Sequence, residues 1–377
     1  MMYPIKVLIS VNKMDSGGQK SLTMAYLRNL DSNKVKFELV CDSDSNSLPF
    51  EEVEQLGGKL HVIPPYQQIG KHIKALKKLF HENHYDVFHA MNNTMNLFPL
   101  YVAKKAGVKV RVSESLSMAS KAELKKSILK IVLKQFSHLF CNYYVACGKD
   151  CGIFQFGKKA YQQGKIEIFK TCIDAKANTF NQALRDKTRE SFGWSHKVVY
   201  GFIGRFASQK NPLFLIDIMN EIKKKKVNAH FVIIGAGNLE NEMKSKINAY
   251  GLDSSMSWLG RREDIKQFYN AFDAFLLPSI YEGLPVVGLE SQAAGLPVFF
   301  SDAITREAAA CSLGHFIGLR ESASKWAGII IEETDKNMPI RCGHEDDLIK
   351  SGFDAVTETK RLTDYWLAAI DEQKKDL

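Results

Sequence analysis

No apolar run in this 377-residue sequence approaches the ~18 residues that a membrane-spanning helix requires. The opening MMYPIKVLIS turns polar too soon for a secretory leader. The chain is therefore expected to touch a membrane at most, not to cross one. Cysteines are few and show no paired framework. There are seven, and Cys147 and Cys151 have no second pair to complete a zinc site. A disulfide scaffold is excluded for a chain this large, and reduced thiols point to a cytoplasmic compartment. Acidic residues are outnumbered: 51 Lys and Arg against 42 Asp and Glu leave a net charge of +9. That favours anionic partners, namely nucleic acid, an anionic membrane face or phosphorylated substrates. No clustered aromatic-basic sheet motif supports the nucleic-acid option.

What is present is ordinary for a globular protein. Hydrophobic residues reach 45% and charged residues 25%, which excludes disorder over most of the length. The length allows about two to three domains. Short β-branched runs alternate with helical patterns in the first half. Strands are expected at Lys6–Val11, Phe37–Cys41, Leu60–Ile63, Asp86–Ala90 and Lys109–Ser113. Helices are expected at Ser21–Leu30, Ile69–Asn83 and Leu97–Ala106. This cadence implies a parallel sheet with helices on both faces. The pattern fades between Ala175 and Ser195 and restarts. Lys197–Ile203, Val227–Ile234, Met256–Leu259, Ala274–Leu277 and Pro297–Phe300 then read as strands of a second such sheet. The fold class is α/β, with two Rossmann-like domains, 1–190 and 191–354. The final helix, about 355–377, joins the first domain. A cleft between the two domains is expected, with ligands at the carboxyl ends of the strands.

Two segments carry candidate chemistry. In Gly201–Asn211 a buried strand runs into Gly204, Arg205 follows, and Lys210 stands just before Pro212. Proline suits the first position of a helix. Two cations at a helix N-terminus make a diphosphate site, to which free amides and the helix dipole add. The alternative is a solvated turn. In Pro278–Glu290, Glu282 follows a strand and Glu290 lies eight residues on, about two helical turns later and close to the same face. A carboxylate accepts hydrogen bonds from paired sugar or ribose hydroxyls. Gly283 and Leu284 offer amides where a phosphate could dock. The alternative places Glu290 on a helix surface, yet its apolar neighbours would leave a half-buried charge in need of a partner.

These segments, with Gly235 and Gly237 between them, resemble the retaining GT-B glycosyltransferases of family four, and within it the builders of capsular and exopolysaccharides. The likeness is dense over 198–305. It runs through Gly204-Arg205-Phe206, Gln209-Lys210-Asn211, Tyr281 to Pro285, Glu290, Gln292 to Pro297 and Ser301-Asp302. Gly352-Phe353-Asp354 resembles the approach to a final helix that crosses back to the first domain.

The resemblance implies a UDP-sugar donor with Arg205 and Lys210 on its diphosphate. It also implies Glu290 on the ribose, and Glu282 on the donor sugar hydroxyls or nearby amides. Gly235 and Gly237 would face the nucleoside, Gly260 to Arg262 (centred on Arg261) the base, and Gly17 and Gly18 the diphosphate from the other domain. The last pair also fits a simple tight turn. The acceptor would be a saccharide or a polyprenyl-diphosphate-linked saccharide. No cofactor and no metal are expected, and Asp42-Ser43-Asp44 reads as a loop. Two other readings are a nucleotide-sugar epimerase of the same fold and a non-catalytic sugar-nucleotide-binding partner in polysaccharide assembly.

The first domain departs from the family pattern. Glu114 and Leu116 stand where histidines are usual, His89 is kept, and Met91 replaces a second histidine. A changed acceptor explains this better than lost activity, because decay would also have eroded Arg205, Lys210 and Glu290. His89 and Glu114 are thus the candidate acceptor residues. His89 could instead be a strand-end histidine satisfied by its neighbours. Finally, 121–136 spaces Leu124, Ile128, Ile131, Val132 and Phe136 helically against a lysine-rich side. Such a helix can lie on an anionic membrane, making the protein peripheral, or can turn a solvated lysine face outward from the core.

Overall fold

In the computed structural model of the chain, residues 4–15, 17–117, 124–226, 228–337 and 341–375 are described. The start of the 121–136 stretch and Val227, the expected first residue of a strand, lie outside them. The chain divides into two compact units, Met1–Cys172 with Ala355–Leu377, and Ile173–Asp354. The division falls ahead of residue 190 because the helix over Gln182–Ser191 is tied into the second unit. There Arg185 and Arg189 pair with Asp273 and donate to the Ala271 carbonyl.

Unit 1 alternates strands and helices. The strands are β1 (Ile5–Ser10), β2 (Val35–Asp42), β3 (Lys59–Ile63), β4 (Val87–Ala90), β5 (Val110–Ser115), β6 (Tyr143–Ala146) and β7 (Ile166–Ile168). The helices are α1 (Gly18–Arg28), α2 (Phe50–Gln55), α3 (Ile69–Glu82), α4 (Leu97–Lys105), α5 (Leu124–Leu133), α6 (Lys149–Phe156) and α7 (Lys158–Gln162). All strand pairs are parallel, in the order β3-β2-β1-β4-β5-β6-β7. Period-two alternation sends Leu8, Val40, Phe88 and Ala90 to one face, packed with Leu76 and Leu100. Val7, Ile9, Val87 and Val112 go to the other, packed with Leu22 and Tyr26 of α1.

Unit 2 holds α8 (Gln182–Ser191), β8 (Val198–Ile203), α9 (Pro212–Lys225), β9 (Ala229–Ile234), α10 (Glu240–Ala249), β10 (Met256–Trp258) and α11 (Lys266–Ala271). It continues with β11 (Ala274–Leu277), α12 (Val286–Ala293), β12 (Val298–Ser301), β13 (Gly314–Ile317), α13 (Ala323–Asn337) and α14 (Glu345–Lys350). Its sheet is also wholly parallel, ordered β10-β9-β8-β11-β12-β13. β8 and β11 are buried at every position, as central strands covered on both faces must be. Gly201 is required in β8 because a Cβ there would meet the Phe272 ring at 2.1 Å.

The last helix, α15 (Ala355–Lys375), belongs to unit 1. Its Leu362, Trp366 and Ala369 enter the same core as Val7 and Tyr26. Strands β6, β7 and β13 were not foreseen. Among the described residues no helix is long and apolar enough to cross a membrane.

Candidate active site

In a doubly wound sheet, loops diverge to opposite faces where the strand order reverses, and ligands settle there. In unit 2 the reversal lies between β8 and its neighbour β11. The loops leaving these two strands are the segments with Arg205–Lys210 and Ser279–Glu282. Topology alone thus brings two distant sequence motifs together.

After β8 the chain makes a single 3-10 turn over Ser208–Lys210. Asn211 then takes a left-handed conformation (φ 54°) and Pro212 opens α9. This turn aims Lys210 at Glu282. The two form an ion pair whose side chains are 15% and 9% exposed, so it is largely desolvated. Gln209 ties the pair to its surroundings. Its amide donates to the Tyr281 carbonyl at 3.2 Å and to Glu282 at 3.3 Å, and its oxygen accepts from Arg205 at 3.4 Å. The Ser279 hydroxyl donates to Glu282 at 2.9 Å. The Ile280 amide donates to the Gln209 carbonyl at 2.8 Å, which locks loop to loop. Arg205 is exposed and is the more accessible of the two expected cations.

Glu290 lies on α12. Its carboxylate accepts from the Tyr269 hydroxyl of α11 at 2.7 Å. Tyr269 is buried, and burial followed by the Glu290 charge pushes its phenol well above the ordinary range. It therefore stays a donor and holds the carboxylate in one orientation. The expected two-turn relation between Glu282 and Glu290 does not exist. α12 begins only at Val286, so Glu282 sits in the loop ahead of it with Gly283 and Leu284.

Gly235 and Gly237 each face backbone of the turn after β8. A Cβ on Gly235 (φ 147°) would meet the Gly204 carbonyl oxygen at 1.9 Å, and one on Gly237 would meet that of Phe206 at 2.2 Å. They let the β9 loop lie directly on the Gly204–Phe206 turn, where the Phe206 amide donates to the Ala236 carbonyl at 3.0 Å. The Gly235 amide donates to the Gly260 carbonyl at 2.8 Å, so the exposed Arg261 stands beside the same turn.

Unit 1 presents a different picture. His89 of β4 and Glu114 of β5 approach to 2.9 Å, each 1% exposed. Trp366 meets the His89 ring edge-on at 5.7 Å. As they stand, neither side chain presents an atom to an acceptor. Gly17 (φ 149°) precedes α1 and Gly18 begins it. Lys13 in the loop before them pairs with Asp44 at 2.6 Å, and Asp15 accepts from the Asn46 amide at 2.6 Å. Asp42 is buried. Burial first, then the Asp44 charge, pushes its carboxyl up to about 7. In the 121–136 stretch, Ile131, Val132 and Phe136 are 45–52% exposed, while Leu133 faces inward. The side chains of 124–128 are outside the described residues.

Sequence reasoning missed Gln209, Ser279 and Tyr269. Gln209 sat inside a quoted motif without a role. Ser279 lay two residues from the strand end. Tyr269 precedes Glu290 by 21 residues and lies on a different helix, so no spacing rule could reveal it.

The family model for glycosyl transferases group 1 matches residues 185–312. The chain is 29% identical over 357 residues to the putative glycosyltransferase EpsF of Bacillus subtilis, covering 93% of each chain. It is 27% identical to an Escherichia coli UDP-Gal:alpha-D-GlcNAc-diphosphoundecaprenol alpha-1,3-galactosyltransferase, over 80% of each. Its fold matches Anabaena HepE in complex with UDP-glucose, with TM-score 0.76, 18% identity and coverage of 99% and 100%.

Proposed function

We propose that this chain, a glycosyltransferase of the GT-B fold, moves a sugar from UDP to a lipid-linked saccharide with retention of anomeric configuration, in cell-surface polysaccharide synthesis. The observation that carries this reading is the Arg205–Gln209–Lys210–Glu282 constellation at the reversal point of the unit 2 sheet. In the resting protein Lys210 is neutralised by Glu282. An incoming diphosphate offers Lys210 a stronger anion and leaves Arg205 as its second contact. Glu282 is thereby freed to accept hydrogen bonds from the donor sugar. As the bond from the sugar's anomeric carbon to the diphosphate oxygen breaks, negative charge grows on the leaving UDP. Two fixed cations stabilise that charge more than they stabilise the bound donor, which is what lowers the barrier. Glu290, oriented by Tyr269, takes the ribose hydroxyls.

On the acceptor side, His89 and Glu114 act from beneath, shaping the carboxyl end of the unit 1 sheet without direct contact in this conformation. Gly17 and Gly18 leave bare amides at the start of α1, where an anionic group can dock. The exposed Ile131, Val132 and Phe136, beside Lys130 and Lys134, seat the protein on an anionic membrane face, where an undecaprenol-linked acceptor would be found. The undecaprenol-linked substrate in the name of the E. coli relative supports that acceptor class, and the UDP-glucose complex of HepE supports the donor class. Transfer assays with a panel of UDP-sugars and a polyprenyl-diphosphate saccharide test the reading directly. Product should form with at least one donor, with the α-anomeric signal of the donor preserved. Isomerised UDP-sugar without acceptor, or tight UDP binding with no turnover over the whole panel, would overturn it.

A further inference from the structure

Away from the sheet ends, one cluster outside the donor constellation combines a thiol, an imidazole and a carboxylate. Of the seven cysteines, all of them described, Cys342 alone is exposed. Its Sγ lies 3.9 Å from Nε2 of His344, and Nδ1 of His344 lies 2.8 Å from Oδ2 of Asp347. Asp347 can only accept, so Nδ1 carries the imidazole proton and Nε2 presents its lone pair to the thiol. That is the order of groups by which a base, oriented by a third residue, relieves a nucleophile of its proton.

The segment is held rigidly enough for the geometry to persist. Arg341, immediately before Cys342, is half-buried and donates to the carbonyls of Asn270, Phe272 and Ala294. The His344 amide donates to the Ala293 carbonyl at 3.1 Å. Gly343 separates thiol from imidazole because nothing larger fits. A Cβ there would meet Thr179 Oγ1 at 2.0 Å and Glu345 Oε2 at 2.3 Å. The other charged groups near the pair are already engaged: Glu345 accepts from Thr179 at 2.6 Å, and the Arg341 guanidinium stacks on Phe180 at 4.6 Å.

A metal would find too little here. Cys342 and His344 supply two ligands, whereas a structural zinc takes four. Among the described residues no group of three or more such side chains is placed to hold an ion. Cys41, Cys141 and Cys311 are poor competitors for an electrophile, since burial pushes their thiols up to about 12, 12 and 11, whereas the half-buried Cys151, whose thiol the hydrogen bond with Cys147 lowers, is the competitor to test against.

We propose that Cys342 is a covalent modification site for low-molecular-weight disulfides, with His344 as its base and Asp347 orienting that base. His344 Nε2 takes the thiol proton, and the Cys342 thiolate attacks one sulfur of RSSR. A new Cys342–SR bond forms as the old S–S bond breaks. The departing RS⁻ takes the proton from His344 and leaves as RSH. No external oxidant or reductant is needed, because the small disulfide supplies the oxidation state.

The test uses the full chain and 5,5′-dithiobis(2-nitrobenzoate) as the disulfide, under pseudo-first-order conditions at pH 7. One fast thiol is expected, located at Cys342 by mass spectrometry of the mixed disulfide and lost in Cys342→Ser. His344→Asn should slow it about tenfold and Asp347→Asn about threefold, with melting temperatures unchanged. Iodoacetamide, which has no sulfur leaving group, should show the same ordering among the variants. A fast phase that survives in Cys342→Ser, for instance at Cys151, would overturn the assignment. So would equal rates in the wild type and His344→Asn.

Discussion

The two units have sheets of the same kind and handle polar residues at the strand ends in opposite ways. In unit 2, Lys210 and Glu282 meet in loops beyond the strands, largely desolvated, and are linked through Gln209 to the exposed Arg205. In unit 1, His89 and Glu114 meet within the strands themselves, 1% exposed and covered by Trp366. A charge in a loop can exchange its partner for a ligand at small cost. A charge inside a packed face cannot do so without opening the core. On the proposed function, ligand exchange falls to unit 2, while the unit 1 pair stays fixed in its core.

The largest effect should come from removing the exchangeable cation. Lys210→Ala is expected to lower kcat by about 10²–10³-fold in the transfer assay while far-ultraviolet circular dichroism stays unchanged. Arg205→Ala should fall in the same range, and wild-type turnover in either variant would end the leaving-group role. Gly235→Ala attacks the platform instead. With φ at 147° and the Gly204 carbonyl 1.9 Å from the new methyl, unit 2 should lose about 3 kcal/mol of stability, read from denaturant unfolding. A neutral result would mean the β9 loop can move away freely.

Tyr269→Phe removes one hydrogen bond to a charged group, worth about 1.5–3 kcal/mol. UDP affinity by calorimetry should drop about tenfold or somewhat more, with kcat for bound donor nearly unchanged. A fall in kcat alone would argue that Glu290 acts on the reacting sugar.

Asp42 sharpens the unit 1 side. Burial, then the Asp44 charge, pushes its folded carboxyl up to about 7 from an ordinary 3.8. The unfolded chain therefore ionises first as pH rises. The destabilisation is absent below the lower value, grows through the window between the two, and is complete above the upper one. Asp42→Asn should raise the melting temperature at pH 8 and change it much less at pH 4. The same increment at both would remove the titration from the account. The smallest expected effect is at the surface. Val132→Asp should weaken sedimentation with phosphatidylglycerol vesicles a few-fold while leaving transfer to a soluble acceptor intact.

The sequence made the two sheets, the Arg205–Lys210 turn and the Glu282 loop legible because strand periodicity and helix-start chemistry are local. What it hid was relational. Tyr269 and Glu290 meet only through a hydrogen bond between side chains of two separate helices. Gly235 and Gly237 read as nucleoside contacts, yet the Gly204–Phe206 backbone is what crowds them. The two-turn relation of Glu282 to Glu290 failed because α12 starts four residues after Glu282, which no cap residue announces: Pro285 precedes the helix without a side-chain cap.

The return of α15 into unit 1 sets an order on biosynthesis. Trp366 and Leu362 complete a core that begins with Ile5 and Val7, so unit 1 cannot close until the ribosome has translated every residue of unit 2. The second unit can fold first, while the nascent first sheet waits with the helix-facing side of Val87 and Val112 uncovered. Premature termination before Ala355 would leave a finished unit 2 attached to a sheet with a greasy open flank, a natural target for chaperones and proteases.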